Sequence, residues 1–376
     1  MKKYLLPIYL LSMVLSGCWN NVELNETRFV TALGIDIDEQ GRFVLTVNVL
    51  KPSAGTNKKS GSTSGSFSIV QSTGYTMFDA VRNSIPYSGY KLSYHHIRYI
   101  ALGSGIGKKD LINVLDLFMR DQEVRRRTWV LYVDGRAESL LRAKGTTHDI
   151  QPIEMDREME AGSSIGKYPA VQLIDVMRML GNKEKVGYLP ISTVIHSKKE
   201  SHEAGAVIFK DGKVITSLDE SQTRGLLWVK EQIKSGIAVV PLEKEGQYAS
   251  IELLSSKVKI KSRIISDQVY LDVIVSPTGN IGSLDSPFPV DKKTYLLLQN
   301  HTDQVIKREI EDAVKIGQKY KADIFGFNEY VHRSSPEQWK KWKDRWPEIF
   351  SRANVTVSVE SHLLMNGLLL DQLGEK

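Results

Sequence analysis

The folded part of the chain begins with alternating apolar and polar positions, which are typical of paired strands. Two such runs between residues 29 and 50 flank the sequence DEQG, so the pattern predicts a hairpin with Gly41 in its turn. The segment 52–66, rich in Gly, Ser and Lys, has too few apolar residues to pack. Because strand character resumes directly after it, we interpret this segment as a hairpin tip.

Strand and helix patterns alternate along the rest of the first half. Short apolar runs predict strands, and apolar residues at spacings of three and four predict helices. The predicted elements are a helix over 76–84, a strand over 95–103, a helix from about 109, a strand over 128–135 and a short helix over 137–143. Such alternation indicates an α/β or α+β domain.

The second half predicts another α+β arrangement after a polar interruption near 195–205. The DG pair at Asp211 and Gly212 predicts a tight hairpin turn. The remaining predicted elements are a helix over 220–233, strands over 251–264 and 268–282, a long amphipathic helix over 302–323 and a strand over 354–365. We therefore expect a mixed α/β, or α+β, fold of three small domains, each with a mixed sheet and packed helices, with boundaries at 18–197, 198–248 and 249–376.

A helix rich in tryptophan is predicted after Ser335, which suits an N-cap, with Pro336 at the first helical position and Gln338 at capping-box spacing. Its indole rings recur three and four residues apart, and basic residues occupy its other faces. The helix could lie on anionic lipid, but we favour the interpretation that at least two of the indoles are core residues. The indoles are Trp339, Trp342 and Trp346, and the outward lysines, which we call the lysine face, are Lys340, Lys341 and Lys343.

The N-terminus has the pattern of a lipoprotein signal. Two lysines precede an uncharged apolar run over 4–15, which is too short to span a bilayer as a helix and is typical of a signal-peptide h-region. The run ends in a lipobox formed by Leu15, Ser16, Gly17 and Cys18. Cleavage after residue 17 would make Cys18 the lipid-modified N-terminus and anchor the mature chain to a membrane from outside the cytoplasm.

Composition agrees with a folded, exported body. The chain has 376 residues, of which 41% are hydrophobic and 25% charged, and Cys18 is its one cysteine. A disulfide is therefore excluded, and packing alone must stabilise the fold. Loss of residues 1–17 removes two lysines and no acid, which lowers the formal charge from +6 to +4. This mild positive charge suits an anionic membrane surface and does not favour nucleic acid as a partner.

The usual catalytic and cofactor motifs are missing from the sequence. The segment GSGIGKK over 103–109 lacks the glycine and the hydroxyl residue that a phosphate loop requires. His95 and His96 are adjacent and would point to opposite faces of a strand, and no HExxH motif exists, so we expect no metal. The carboxylates of Asp36 and Asp38 are interpreted as a solvated strand end. We expect neither a catalytic residue nor a cofactor.

The charged run MRDQEVRRR over 119–127 invites two interpretations. In a helix, Arg120, Glu123 and Arg127 would share one face through spacings of three and four residues and could form ion pairs. The segment is then either a solvated helix end or a surface that contacts another protein.

Several motifs, taken in order, resemble the Ger(x)C family of spore germination lipoproteins. The resemblance starts with the lipobox and GCWNNVELNE and continues through ALGIDID, HHIRYIALG and FMRDQEVRRR. It then covers GAVIFKDGKVI, TRGLLWVK and DIFGFNEYVHRSSPEQWKKWKDRW, so that nearly the whole chain is included. The loop ALGSGIGKKD departs from the family, whose members more often carry an acidic residue soon after the strand. The resemblance implies a fold of three small mixed α/β domains.

The resemblance also implies a function without catalysis. Members of the family are the lipid-anchored third subunit of nutrient germinant receptors, on the outer face of the spore inner membrane, beside two integral membrane subunits. We therefore expect Cys18 to hold the lipid and these two subunits to be the protein partners. The alternative is a lipoprotein that binds a solute or acts on the cell wall by itself. Such a protein would show two similar lobes with a hinge, or an acid/base or metal motif, and the sequence shows neither.

Overall fold

A computed structural model of the protein describes residues 26–50, 67–143, 151–195, 200–242, 246–285 and 292–364. In these ranges two mixed sheets are packed with helices, which confirms the predicted α+β class. The first sheet has nine strands in the order β3-β2-β1-β5-β6-β7-β8-β9, with β4 beside β1. Its strands are β1 (Thr27–Ile37), β2 (Phe43–Leu50), β3 (Phe67–Gly74), β4 (Lys91–Ser93), β5 (Tyr99–Gly103), β6 (Trp129–Asp134), β7 (Gly187–Ile195), β8 (Glu200–Lys210) and β9 (Lys213–Leu218).

The second sheet has five strands in the order β10-β11-β12-β13, with β14 also paired to β12. Its centre is a long antiparallel hairpin, and the two terminal strands pair with β12 in parallel. The strands are β10 (Gly236–Pro241), β11 (Tyr248–Ile265), β12 (Gln268–Leu284), β13 (Asn354–Val359) and β14 (His362–Leu364).

Helices cover both sheets. In the described residues they are α1 (Met77–Ser88), α2 (Leu111–Arg120), α3 (Ala137–Leu141), α4 (Gln151–Ile165), α5 (Leu173–Gly181), α6 (Glu220–Val229), α7 (Lys292–Lys319), α8 (Phe327–Ser334), α9 (Pro336–Trp342) and α10 (Trp346–Phe350). Single 3₁₀ turns occupy Ser104–Lys108 and Lys343–Arg345. The sequence patterns do not predict α4, α5 or α8, nor the strands β7 and β10.

The centre of the first sheet is buried on both faces. Along β5, Ile100 and Leu102 join the main core, whereas Tyr99 and Ala101 join a second cluster with Met155 of α4. Parallel strands covered on both faces read as continuous apolar runs, which explains the unbroken YIALG and WVLYV sequences.

Both predicted hairpin turns are confirmed. Gly41 has φ of +77° between β1 and β2, which pair antiparallel. Asp211 and Gly212 both have positive φ, as a two-residue turn between antiparallel strands requires, and they join β8 to β9. Strands β2 and β3 also pair antiparallel. The segment 52–66 between them, which we interpret from the sequence as a hairpin tip, lies outside the described residues.

Several predicted element ends differ from the structure. The helix predicted over 76–84 is capped by Thr76, which accepts a hydrogen bond from the Asp79 amide, and continues to Ser88. The strand predicted from residue 95 begins at Tyr99, and the two histidines before it are exposed. The prediction of a capping box at Ser335 is wrong. The Ser335 side chain makes no capping hydrogen bond, and the Gln338 side chain donates instead to Asp267 in the β11–β12 turn.

The predicted boundary between 197 and 198 falls between β7 and β8, which are paired antiparallel in the first sheet. The predicted middle module 198–248 contributes β8 and β9 to the first sheet and β10 to the second. The division into three domains at these boundaries stays a prediction.

Candidate functional site

The predicted lipid attachment site lies outside the described residues. Leu15, Ser16, Gly17 and Cys18 precede residue 26, where the described chain begins. The two candidate contact surfaces are both described: the segment 119–127 at the end of α2, and the lysine face in α9 and the 3₁₀ turn after it.

The helical arrangement predicted for residues 119–127 is wrong. Helix α2 ends at Arg120, whose guanidinium pairs with Asp116 one turn earlier, at 2.7 Å. The chain then turns, because Asp121 accepts a hydrogen bond from the Glu123 amide and Val124 is buried. Glu123 accepts from the Tyr94 amide at 3.1 Å, and Arg127 is exposed just before β6. The three residues therefore do not share a helical face.

The tryptophan helix packs as predicted, with at least two buried indoles. Trp342 is 5% exposed and Trp346 is fully buried, while Trp339 is half-buried against the edge of the Trp346 ring. All members of the lysine face are exposed. Lys340 pairs with Glu337 at 2.8 Å, and Lys183 of the first half forms an ion pair with Asp344.

An open groove of about 810 Å³ runs beside the lysine face. It lies between the β11–β12 turn and the helical segment from α9 to α10, and Trp342 forms part of its apolar wall. Its lining includes the cationic side chains of Lys341, Arg345 and Arg352 and the carboxylates of Asp267 and Glu348. The groove can therefore accept a polar segment of another chain whose acidic groups meet these cations.

A smaller cleft of about 340 Å³ separates the two halves of the chain near the other end of the lysine face. Its lining includes Lys343, Glu184 and Asp323. Burial, followed by the charge of Asp323, raises the pKa of Glu184 to about 7. This carboxyl therefore holds its proton to a higher pH than an ordinary glutamate does.

Asp36 in the ALGIDID motif has a structural role that the interpretation as a solvated strand end missed. It is 4% exposed, and its carboxylate accepts hydrogen bonds from the Ala137 and Glu138 amides at 2.9 and 3.1 Å. Burial raises its pKa, which these two hydrogen bonds oppose. The carboxylate ties the end of β1 to the start of α3, whereas Asp38 pairs with Arg42 at the surface.

The TRGLLWVK motif joins α6 to α7. Trp228 donates from Nε1 to Glu309 at 2.8 Å, and Nε of Arg224 lies 3.1 Å from the other Glu309 carboxylate oxygen. Burial raises the pKa of Glu309, and the Arg224 charge opposes this. Gly225 lets the helices approach, because a Cβ there would overlap the Glu309 backbone oxygen. Each named side chain of the motif therefore serves helix packing.

The DIFGFNEY motif contacts the tryptophan-rich segment through the side chain of Asp323. Its carboxylate accepts from the amides of Gly326, Phe327 and Asn328 at 2.8 to 3.1 Å and from Trp346 Nε1 at 2.9 Å. Burial raises the pKa of Asp323, and these donors oppose the shift. One carboxylate thus caps α8 and fixes the buried indole of α10.

The sequence patterns did not reveal the roles of these three carboxylates. A local signal existed for Asp323, which stands four and five residues before the first two amides of α8, since a short carboxylate just ahead of a helix can accept from its free amides. No local signal existed for Asp36 or Glu309, because their donors lie about 100 and 80 residues away along the chain.

The described ranges contain no group of three or more His, Cys, Asp or Glu side chains arranged to hold a metal ion. Nor does any helix within them have the length and apolar character needed to cross a bilayer. The polar groups that the motifs bring together join strands to helices and helices to each other, and basic surfaces lie exposed beside them.

Family comparisons agree with this arrangement. The model described as "Spore germination protein N-terminal domain" matches residues 20–194, and that described as "Spore germination B3/ GerAC like, C-terminal" matches residues 204–367. Together they cover most of the chain, which therefore belongs to the Ger(x)C family of spore germination proteins. Its role is in spore germination.

Curated relatives match over almost their full length. Spore germination protein B3 of Bacillus subtilis (strain 168) is 25% identical over 96% of each chain. Spore germination protein KC of the same organism is 23% identical, over 98% of this chain and 97% of its own. The crystal structure of the GerBC protein superposes with a TM-score of 0.60 at 22% identity, covering 88% of this chain and 96% of its own, and so shows the same fold.

Proposed function

We propose that this protein is the lipid-anchored, non-enzymatic subunit of a nutrient germinant receptor. In this proposal Cys18 carries the lipid, and the folded body lies on the outer face of the spore inner membrane. There it contacts two integral membrane subunits and helps to trigger germination.

The match of two germination-family models along almost the whole chain carries this proposal. Relatives that match this chain over almost their full length are named as spore germination proteins. The chemistry of the motifs supports a scaffold role, since Asp36, Glu309 and Asp323 each bind helix-terminal amides or indole and guanidinium donors.

The lysine face and its groove support a docking role toward a protein partner. The lysines are exposed on a helix whose opposite face is held by buried tryptophans, so the surface is presented rigidly. Charge complementarity with an acidic partner surface would accelerate association and select the partner. Arg120, Glu123 and Arg127 remain a second candidate contact surface.

Affinity purification from spores tests the proposal. A tagged copy of the full chain is extracted from spore membranes in mild detergent, and the proteins that accompany it are identified. We expect two integral membrane proteins with the wild type and reduced recovery of both when the lysine face is reversed to glutamate. Reversal of Lys315 and Lys319 on α7 provides the matched control. Purification of the protein without membrane partners would contradict the receptor assignment.

The anchor is tested separately by the Cys18→Ala variant. Because this thiol is the one site for acylation, the variant should incorporate no labelled lipid and should accumulate as uncleaved precursor or released protein. Germination through the receptor should fall. Equal lipid incorporation in variant and wild type would refute the lipobox.

A further inference from the structure

Three parallel strands begin at the same end of the first sheet, and the chain arrives from residue 26 at that end. In register, Ala32 of β1 lies beside Tyr99 of β5, which lies beside Trp129 of β6. The segments in front of β5 and β6 therefore meet the start of β1. Eight arginine, lysine and histidine side chains lie in and beside these segments, and we call this set the basic edge. Its members are Arg28, Lys91, His95, His96, Arg98, Arg125, Arg126 and Arg127.

Contacts between the three segments make the basic edge one continuous surface. The His96 ring packs edge-on against Phe29 at 4.9 Å between centroids. The Trp129 amide donates to the Arg98 carbonyl at 3.0 Å, and the Arg98 amide donates to the Thr31 carbonyl at 2.9 Å. Burial, and then the charges of Arg125, His95 and Arg98, lower the pKa of His96.

Acidic groups neutralise only part of this surface. Glu123 lies 3.6 Å from the His95 ring, and Asp156 pairs with Arg98 at 2.7 Å. Glu26 and Asp121 are also exposed nearby along the chain. The three consecutive arginines over 125–127 are exposed and form no ion pair with any residue in the part of the chain that the structure describes. A positive surface thus remains open to an anionic partner.

Exposed tyrosines border the basic edge. Tyr87 at the end of α1 is 72% exposed, and Tyr90 just before β4 is 40% exposed. The Arg28 guanidinium lies 3.6 Å from the centroid of the Tyr90 ring. Tyrosines beside lysines and arginines are the composition that protein surfaces present to the headgroup layer of a bilayer.

The connection to Cys18 restricts which surface can meet the membrane. The nine residues from Cys18 to Thr27 can span at most about 30 Å when fully extended. A folded body of this length has a diameter of roughly 50 Å, from its expected radius of gyration. The end of the sheet where β1 begins is therefore held within about 30 Å of the bilayer, whereas the connection places no such limit on the opposite end.

We propose that the basic edge, with Tyr87 and Tyr90, faces the membrane and binds the headgroups of anionic phospholipids. The inference rests on the proposed acylation of Cys18, which brings this end of the sheet to the bilayer. Contact at the edge would orient the anchored body, so that the β1–β2 turn and the C-terminal ends of β5 and β6 point away from the membrane.

Fluorescence quenching at two matched positions tests the orientation. The full acylated chain is reconstituted in vesicles of phosphatidylcholine with 30% phosphatidylglycerol, and phosphatidylcholine with a headgroup nitroxide serves as quencher. Because Cys18 is blocked by lipid, a dye attaches only to an introduced thiol. One variant is Gln122→Cys, beside the basic edge, and the control is Glu39→Cys, in the exposed turn at the far end of β1.

We expect quenching at residue 122 to exceed that at residue 39 at least threefold. The double reversal Arg125→Glu/Arg126→Glu, or 0.5 M salt, should bring quenching at residue 122 down toward the control value, since screening weakens exposed charges. The matched reversal Lys108→Glu/Lys109→Glu, at the other end of β5, should leave it unchanged. Circular dichroism melts verify that both double variants fold.

Equal quenching at the two positions, or quenching at residue 122 that survives charge reversal, would overturn the inference. A label at residue 122 that is not quenched on anionic vesicles would also overturn it and would assign the edge to a protein partner. Flotation of the vesicles is measured in the same samples. Retained flotation without quenching therefore refutes the orientation alone, whereas loss of flotation refutes the acyl anchor.

Discussion

Replacement of Trp346 by alanine should unfold the C-terminal half of the chain at a markedly lower urea concentration. Trp346 is fully buried and stacks at 6.2 Å between centroids with Phe350. Its Nε1 donates to Asp323, the carboxylate that also caps α8. The substitution therefore removes a large buried side chain. It also removes one of the hydrogen bonds that stabilise the charged Asp323 carboxylate, whose ionised form is disfavoured by burial.

Two contributions determine the size of the effect. Truncation of a well-packed tryptophan costs about 3 to 5 kcal/mol, including the cavity left behind. Loss of the hydrogen bond from the indole to the Asp323 carboxylate costs about 1 to 3 kcal/mol. The Trp346→Phe variant keeps an aromatic ring but has no N–H donor, so most of its loss of stability reports this hydrogen bond. With a urea dependence of about 3 kcal/mol per molar, the combined cost of about 4 to 8 kcal/mol should lower the midpoint by roughly 1.3 to 2.7 M for the alanine variant.

Urea unfolding followed by circular dichroism measures both variants, and Trp339→Ala is the matched control. Trp339 contacts the Trp346 ring from α9 but is only half-buried, so its truncation should lower the midpoint by less than half as much. An unchanged midpoint for Trp346→Ala, or an equal loss for Trp339→Ala, would refute the core assignment and favour an interfacial tryptophan helix.

Three further predictions follow from packing, titration and charge. Gly225→Ala should destabilise the protein by about 1 to 3 kcal/mol in a urea melt, because its Cβ would push α6 away from the Glu309 backbone, whereas Gly181→Ala, with open space around it, should not. Glu184 binds more protons in the folded than in the unfolded chain between pH 4.5 and about 7, so its contribution to stability falls as pH rises through that window. The urea midpoint of the Glu184→Gln variant should therefore rise relative to that of the wild type as the pH is raised from 4.5 to 7.5. A difference between the two midpoints that stays the same at every pH would contradict the raised pKa of Glu184. Charge reversal of the lysine face should leave the melt within about 0.5 kcal/mol of wild type and weaken recovery of membrane partners in a salt-sensitive way.

Features determined by neighbouring residues could be predicted from the sequence. The turns at Gly41 and Asp211–Gly212 follow from the positive φ that these residues tolerate. Burial of Trp342 and Trp346 follows from their spacing in a short helix with a strand beside it. Membership of the germination family also depended on sequence alone, through motifs read in order along the chain.

Segment 119–127 shows where local pattern was insufficient. Its charges at spacings of three and four predicted a continuous helix, but the chain must reverse after Arg120 to place Val124 in the core and to begin β6 beside β5. Helical propensity near the end of a helix is worth only tenths of a kcal/mol per residue, which tertiary packing easily overrides.

The tertiary structure alone decided which distant groups meet. Asp36 is buried because the amides that satisfy it belong to α3, and Glu309 is buried because Trp228 and Arg224 come from another helix. The basic edge forms only because parallel pairing brings the starts of β1, β5 and β6 to one end of the sheet. The sequence by itself therefore determined many of the elements, the two tight turns and the family, since these depend on residues close along the chain. Buried charge pairs and assembled surfaces depend on strand order and register, which no local pattern encodes.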